Sequence, residues 1–166
     1  MDQEAKDELK SILATYQERL ADGRAREAKV KAARVAFVEA FQKAKKETIG
    51  PVLEEFAVEL NEVGHSASVV DQREASDRNG QFTPASIALR IAPPRMGDMA
   101  LVPSGGTRIE VTFSAHDQSM KMVVSSSNNS NGSIGKRGEY ELSELTSGFV
   151  EGHVLKTIRE AFAIRR

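Results

Sequence analysis

The chain contains no cysteine and no tryptophan. A disulfide framework, a thiolate metal site and a cysteine nucleophile are all excluded at once. Aromatic residues make up only 5% of the chain, so its core must be aliphatic, built from Leu, Ile, Val, Met and Ala with a few Phe. No apolar run approaches the roughly 18 residues that would suggest a membrane span, and no membrane partner is expected. Charge of one sign is missing too: 23 Lys and Arg face 24 Asp and Glu, for a net charge of −1. No global field therefore draws the protein to nucleic acid or anionic lipid, and any such attraction must be local. The opening residues, Met-Asp-Gln-Glu-Ala-Lys-Asp-Glu, are acidic and polar, unlike a secretory or transit leader. Together with the missing cysteine, this gives a cytoplasmic location as the expectation.

Catalytic patterns are equally scarce. Gly-x-Ser-x-Gly is absent, and Ser125, Ser126 and Ser127 adjoin a Ser/Asn-rich segment, 125–135, with too little apolar surface to offset chain ordering. That segment is expected to be a mobile loop, which supplies neither a positioned base nor oxyanion donors. Lys136 is preceded by glycines but followed by Arg137-Gly138-Glu139, so the hydroxyl and helix start of a phosphate loop are lacking. The three histidines are His65, His116 and His153. Glu151 and His153 stand two apart on an expected helix, where residues do not face one another, so they do not make a zinc pair. The His116-Asp117 pair resembles that of metal-dependent phosphohydrolases only superficially, because it falls in an expected turn rather than on a helix. A hydrolase or transferase using His116, Asp117 and Glu110 is therefore a remote reading. No catalytic residue, metal or cofactor is expected.

What the chain does have is length and pattern. Its 166 residues suit one domain, or one compact unit with a helical extension. Residues 1–64 read as helical and coiled-coil-like, in three pieces. In the first, Ala5, Leu9, Ile12, Leu13, Tyr16 and Leu20 share a face, with Asp22-Gly23 as its expected stop. The second covers about 24–48, where Val30, Ala33, Phe37, Ala40, Phe41 and Ala44 recur in steps of three and four. That heptad-like seam is half alanine, which permits close approach of another helix, and these six residues are the expected oligomer interface. Gly50-Pro51 marks a kink or a new start, and Val52, Leu53, Phe56, Leu60 and Val63 form a third stripe ending at Gly64.

After Gly64 the period falls to two. Ile87, Leu89 and Ile91, then Ile109, Val111 and Phe113, then Met120, Met122 and Val124 alternate with polar residues as half-buried strands. A weaker strand is expected over 67–72, with Asn79-Gly80 closing a two-residue hairpin and Tyr140 and Leu142 adding a short edge strand. Ser147 is the expected cap of a closing helix with the stripe Val150, Val154, Ile158 and Phe162. The fold class is α+β: an N-terminal helical stem or hairpin of two to three helices, then a four- to five-stranded antiparallel sheet covered on one face by the C-terminal helix. Residues 65–166 are expected to form one continuous unit with 1–64.

Charge is distributed in blocks. Arg24, Arg26, Lys29, Lys31, Arg34, Lys43, Lys45 and Lys46 against Glu27 and Glu39 give +6 over 24–46, and five glutamates give −5 over 47–62. Opposite blocks are expected to pair in an antiparallel helical arrangement, within or between chains. The alternative is that the eight cations contact phosphates, as in a nucleic-acid accessory protein. The loop 93–106, with Met96, Met99, Leu101 and Val102, either covers an edge of the core, which is the favoured reading, or presents a partner-binding surface, since binding tends to sit on loops held by a rigid scaffold. The leading expectation is a non-enzymatic, homo-oligomeric binding or assembly protein, a homodimer in the first instance, with another protein as a further partner and nucleic acid less favoured.

Overall fold

The computed structural model describes residues 2–92, 108–127 and 135–162. The chain divides into two compact units, Met1–Ala36 and Phe37–Arg166. The division falls 28 residues before the expected boundary at 64, because the chain from Phe37 onward is bound into the core of the sheet.

Helix α1 runs unbroken over Gln3–Ala44. Its first unit is rich in Ala, Glu, Lys, Arg and Leu and has no proline, which favours an uninterrupted helix. Asp2 accepts a 2.8 Å hydrogen bond from the Ala5 N–H and so caps the start. The expected stop at Asp22-Gly23 is absent: one glycine costs about 1 kcal/mol against alanine in a helix interior, too little to end a run of good helix formers on both sides.

In the second unit, α1 continues into a π-helical turn, Lys45–Ile49, and then into α2, Gly50–Glu62. Pro51 explains the wide turn. Its missing N–H and its ring are incompatible with a straight α-helix through residue 47, and a π turn absorbs the misfit. The Gly50 N–H donates to the Lys45 carbonyl, and a side chain at Gly50 would meet that oxygen at 2.8 Å. Helix α2 ends in a Schellman arrangement: Gly64 takes φ +91, its N–H reaches Asn61 O at 3.1 Å, and the His65 N–H reaches Leu60 O at 3.0 Å. The Asn61 amide then bonds both backbone groups of Ala67, at 2.8 and 2.9 Å, fixing the first strand against the helix end.

Five strands follow in the order β1 (Ser66–Gln72), β4 (Ser86–Ala92), β5 (Ile109–His116), β6 (Lys121–Ser127) and β7 (Gly135–Tyr140), with every neighbour antiparallel. A small hairpin of β2 (Ala75–Ser76) and β3 (Phe82–Thr83) is inserted between β1 and β4. Helices α2 and α3 (Ser147–Phe162) pack on one face, α2 against β1 and β4 and α3 against β5. That face supplies the inward residues of the alternation: Ile87, Leu89, Ile91, Ile109, Val111, Phe113, Met122 and Val124, joined by Phe41, Ile49, Leu53, Val150 and Val154. Each such side chain contributes about 1.5–3 kcal/mol on burial. The α+β class, the antiparallel sheet and the covering C-terminal helix agree with the sequence reading, while α2 shares the covering role.

Several boundaries differ. The Asn79-Gly80 hairpin has a longer connection than two residues. The Gly80 N–H bonds Asp77 O at 3.0 Å and Asp77 N–H bonds Gln81 O at 3.0 Å, while Gly80 sits at φ +77. This is a three-residue loop with glycine in the left-handed position. Its Asp77 carboxylate accepts from the Asn79 and Gln81 N–H groups, both at 2.8 Å. Met120 lies in the β5–β6 turn with φ +52 and is exposed. Strand β6 extends through Ser125, Ser126 and Ser127, with the last two buried, so these serines belong to the sheet rather than to a loop. Pairing with β5 and β7 satisfies their backbone, which composition alone does not reveal. Strand β7 begins at Gly135, and Leu142 lies in a 3₁₀ turn, Leu142–Glu144. Thr146 supplies the side-chain bond to Phe149 N–H at the start of α3, at 3.1 Å.

Candidate functional site

The first unit carries the most distinctive surface. Leu9, Ile12, Leu13, Tyr16, Leu20, Val30 and Val35 all lie on α1 with between 41% and 58% of their surface exposed. Because Gly23 does not break the helix, the first two stripes of the sequence merge into one heptad register. Leu9, Leu13, Tyr16, Leu20, Gly23, Glu27, Val30, Arg34, Phe37, Phe41 and Ala44 follow in alternating steps of four and three. The seam is apolar from Leu9 to Leu20 and interrupted by Gly23, Glu27 and Arg34.

Of the expected interface residues, Val30, Phe37, Phe41 and Ala44 fall on this seam, and Ala33 and Ala40 flank it. Val30, Ala33 and Ala40 are exposed, and Phe37 and Ala44 are half-buried. Phe41 is 0% exposed in the core of its own chain, which corrects its assignment to an oligomer contact. A step of four from Phe41 to Lys45 to Ile49 brings all three onto the sheet side of the helix, so Phe41 is used up by intramolecular packing.

The cations divide similarly. Arg24, Arg26, Lys29 and Lys31 are exposed and Arg34 is half-buried. Lys43 forms an exposed ion pair at 3.9 Å with Glu47, one turn on in the π turn, and Lys46 is exposed. Lys45 is removed from any phosphate-contacting set. Its side chain is only 2% exposed and pairs with Asp71 on β1, itself 61% exposed. The Lys45 ammonium also donates to Gln72 O at 3.3 Å and Ser86 O at 3.4 Å, so all three of its protons have acceptors. This pair lies in a cleft of about 590 Å³ lined by Gln42, Lys46, Pro51, Glu54 and Arg73 among others. Within the second unit, the basic end of α1 is therefore held to the sheet at Asp71, rather than to the acidic residues of α2.

Two further constellations escaped the sequence reading. The register between β6 and β7 shifts at Val124/Ser125, leaving Arg137 as the extra residue of a bulge. Arg137 bonds Ser126 on β6 and Glu160 on α3, tying the closing helix to the sheet. His153 on α3 sits among aromatic rings, with centroids 4.6 Å from Phe149, 5.3 Å from Tyr140 and 6.4 Å from Phe113. Burial is the main cause that lowers its pKa from the ordinary value, followed by the charges of Lys156 and Arg137. The sequence signals were present but faint: a lysine on an apolar helical stripe at Lys45, and an aspartate on the inward phase of Ala67, Val69 and Asp71.

The histidines do not converge. His116 ends β5 in an exposed position, Asp117 lies in the following turn, and Glu110 occupies the other end of β5, about 20 Å away at some 3.4 Å per residue. Glu110 bonds Arg90 at 2.7 Å and Thr112 at 3.0 Å. His65 stacks on Phe162 with centroids 5.2 Å apart. Its Nδ1 is buried without a partner among the described residues. Among the described residues no three His, Asp or Glu side chains gather where they could hold a metal ion. Met96, Met99, Leu101 and Val102 fall outside the described residues.

No family model, curated protein or solved structure matches this chain. The functional reading therefore rests on the molecule alone. No helix among the described residues is long and apolar enough to cross a membrane.

Proposed function

We propose that the protein is a non-enzymatic, homo-oligomeric binding or assembly protein, using the apolar stripe of α1 as its contact surface. The observation that carries this reading is the exposure of Leu9, Ile12, Leu13, Tyr16 and Leu20 in successive turns of one helix. A long helix gains little from propensity alone and draws most of its stability from burying an apolar face. Contiguous apolar surface of this kind marks an interaction site, and heptad spacing fits it to another helix. Among the described residues, the core of the sheet is built from Phe37 onward.

Sedimentation equilibrium on the whole chain tests the reading. A dimer or larger species is expected at micromolar concentration. Leu13→Glu, at a surface position that leaves the core of the second unit untouched, is expected to shift it to monomer. A monomer at all concentrations in the unsubstituted protein would sink the proposal. The exposed Arg24, Arg26, Lys29 and Lys31 supply the competing phosphate-contact reading. Retention of DNA or RNA on a filter at low salt, falling steeply as salt rises, would favour it instead.

A further inference from the structure

We infer that the partner of the α1 stripe is a second copy of the same helix, running antiparallel and centred between Ala14 and Thr15. This deepens the homo-oligomeric reading above and rests on it. The inference follows from which residues flank the seam in each arrangement of two identical helices.

In the merged heptad register, Leu13, Leu20, Glu27 and Arg34 hold one core position, and Leu9, Tyr16, Gly23 and Val30 hold the other. A parallel, in-register pair sets each flanking residue beside the one five positions later on its partner. Arg19 then meets Arg24 of the second copy, and Arg26 meets Lys31, each contact occurring twice. It also stacks Glu27 on Glu27 and Arg34 on Arg34 within the seam. Like charges so placed destabilise the pair.

Antiparallel pairing changes the flanks, because each core layer then joins the two different core positions. Full overlap of 9–34 sets Lys10 beside Lys31 and Arg19 beside Arg26 of the second copy. Shifting by one heptad sets Lys10 beside Arg24 and Arg19 beside itself. A second heptad shift gives layers of Leu9 with Leu20 and Leu13 with Tyr16, each formed twice. Its flanking pairs are Lys10 with Gln17, Ile12 with Arg19, Gln3 with Arg24 and Ala5 with Arg26, none of like charge. The same shift brings Arg24 and Arg26 of one copy level with residues 3–5 of the other, where Asp2, Glu4 and Asp7 make the helix start acidic. Four largely apolar layers, flanked by no like-charge pair, thus coincide in one register; beyond them Lys6 meets Gly23, and Asp2, the cap that precedes α1, lies level with Glu27.

Because the chain has no cysteine, single thiols report the register directly. Leu9→Cys and Leu20→Cys replace exposed side chains of α1. In the proposed pair a thiol at 9 lies opposite one at 20, within the reach of roughly 4.4–6.8 Å between Cα atoms that a disulfide needs. Two thiols at 9 stand about 11 residues apart, or about 16 Å along the axis. Mixing the two full-length variants under mild oxidation is expected to give disulfide-linked dimer at least ~10-fold faster than either variant alone. In sedimentation, Arg24→Glu is expected to weaken the dimer several-fold, since it faces Gln3 and the acidic start. A parallel pair would instead be tightened by the new Arg19–Glu contact. Equal cross-linking by Leu9→Cys alone, or a tighter Arg24→Glu dimer, would overturn the antiparallel register while leaving the homo-oligomer intact. A monomeric unsubstituted protein would overturn both.

Discussion

Lys45 and Asp71 illustrate how a single side chain fixes where a helix ends and a sheet begins. The lysine is buried on the same side of the helix as Phe41 and Ile49, and its ammonium closes on Asp71 and the carbonyls of Gln72 and Ser86. Removing only the acid leaves a buried cation short of a charged acceptor. Asp71→Ala is expected to lower unfolding free energy by about 1–3 kcal/mol, whereas Lys45→Met, which removes the charge and keeps the stem, is expected to stay within about 1 kcal/mol of the parent. Urea unfolding of the two variants checks the contrast, and equal losses would contradict it. His153 gives a pH-dependent counterpart. Burial among Phe149, Tyr140 and Phe113 depresses its pKa below the ordinary value of 6.5, so the unfolded chain binds the proton more readily. Its contribution is fully present above about pH 6.5 and is lost as pH falls through the lower folded pKa. Urea midpoints measured from pH 7.5 to pH 5 should fall more in the parent than in His153→Phe, and parallel curves would rule out this account.

At the scale of elements, one glycine and one proline decide the helical region. Gly23 lies in open space with nothing within 4 Å of an added Cβ, so its only effect on α1 is local flexibility. Gly23→Ala is expected to raise the thermal midpoint of the helical circular dichroism signal, with a gain of about 0.5–1 kcal/mol; no change, or a loss, would show that the position is not an ordinary helix interior. Pro51 has the stronger influence, since its missing donor and its ring force the π turn between α1 and α2. The stripes of both helical pieces, the alternation of β4 and β5 and the buried face of α3 were legible in the sequence because spacing alone places them. The end of β6 and the start of β7 were not. Ser125, Ser126 and Ser127 have little strand propensity, and their place in the sheet comes from pairing with β5 and β7 and from the Arg137 bond to Ser126.

For the whole molecule, local pattern determined the α+β class, the aliphatic core, the antiparallel sheet with a helix across it and the apolar stripe from Leu9 to Leu20. Those features follow from residue spacing and composition, which act over a few neighbours. Two outcomes needed the tertiary structure: that Phe41 belongs to the core of its own chain, and that Lys45 reaches Asp71, 26 positions away. Each depends on contacts between segments distant in sequence, where the free energy of burying a side chain or pairing a charge outweighs weak local preference; the passage of α1 through Asp22-Gly23 is decided instead by the helix formers on either side, since nothing lies within 4 Å of a Cβ added at Gly23.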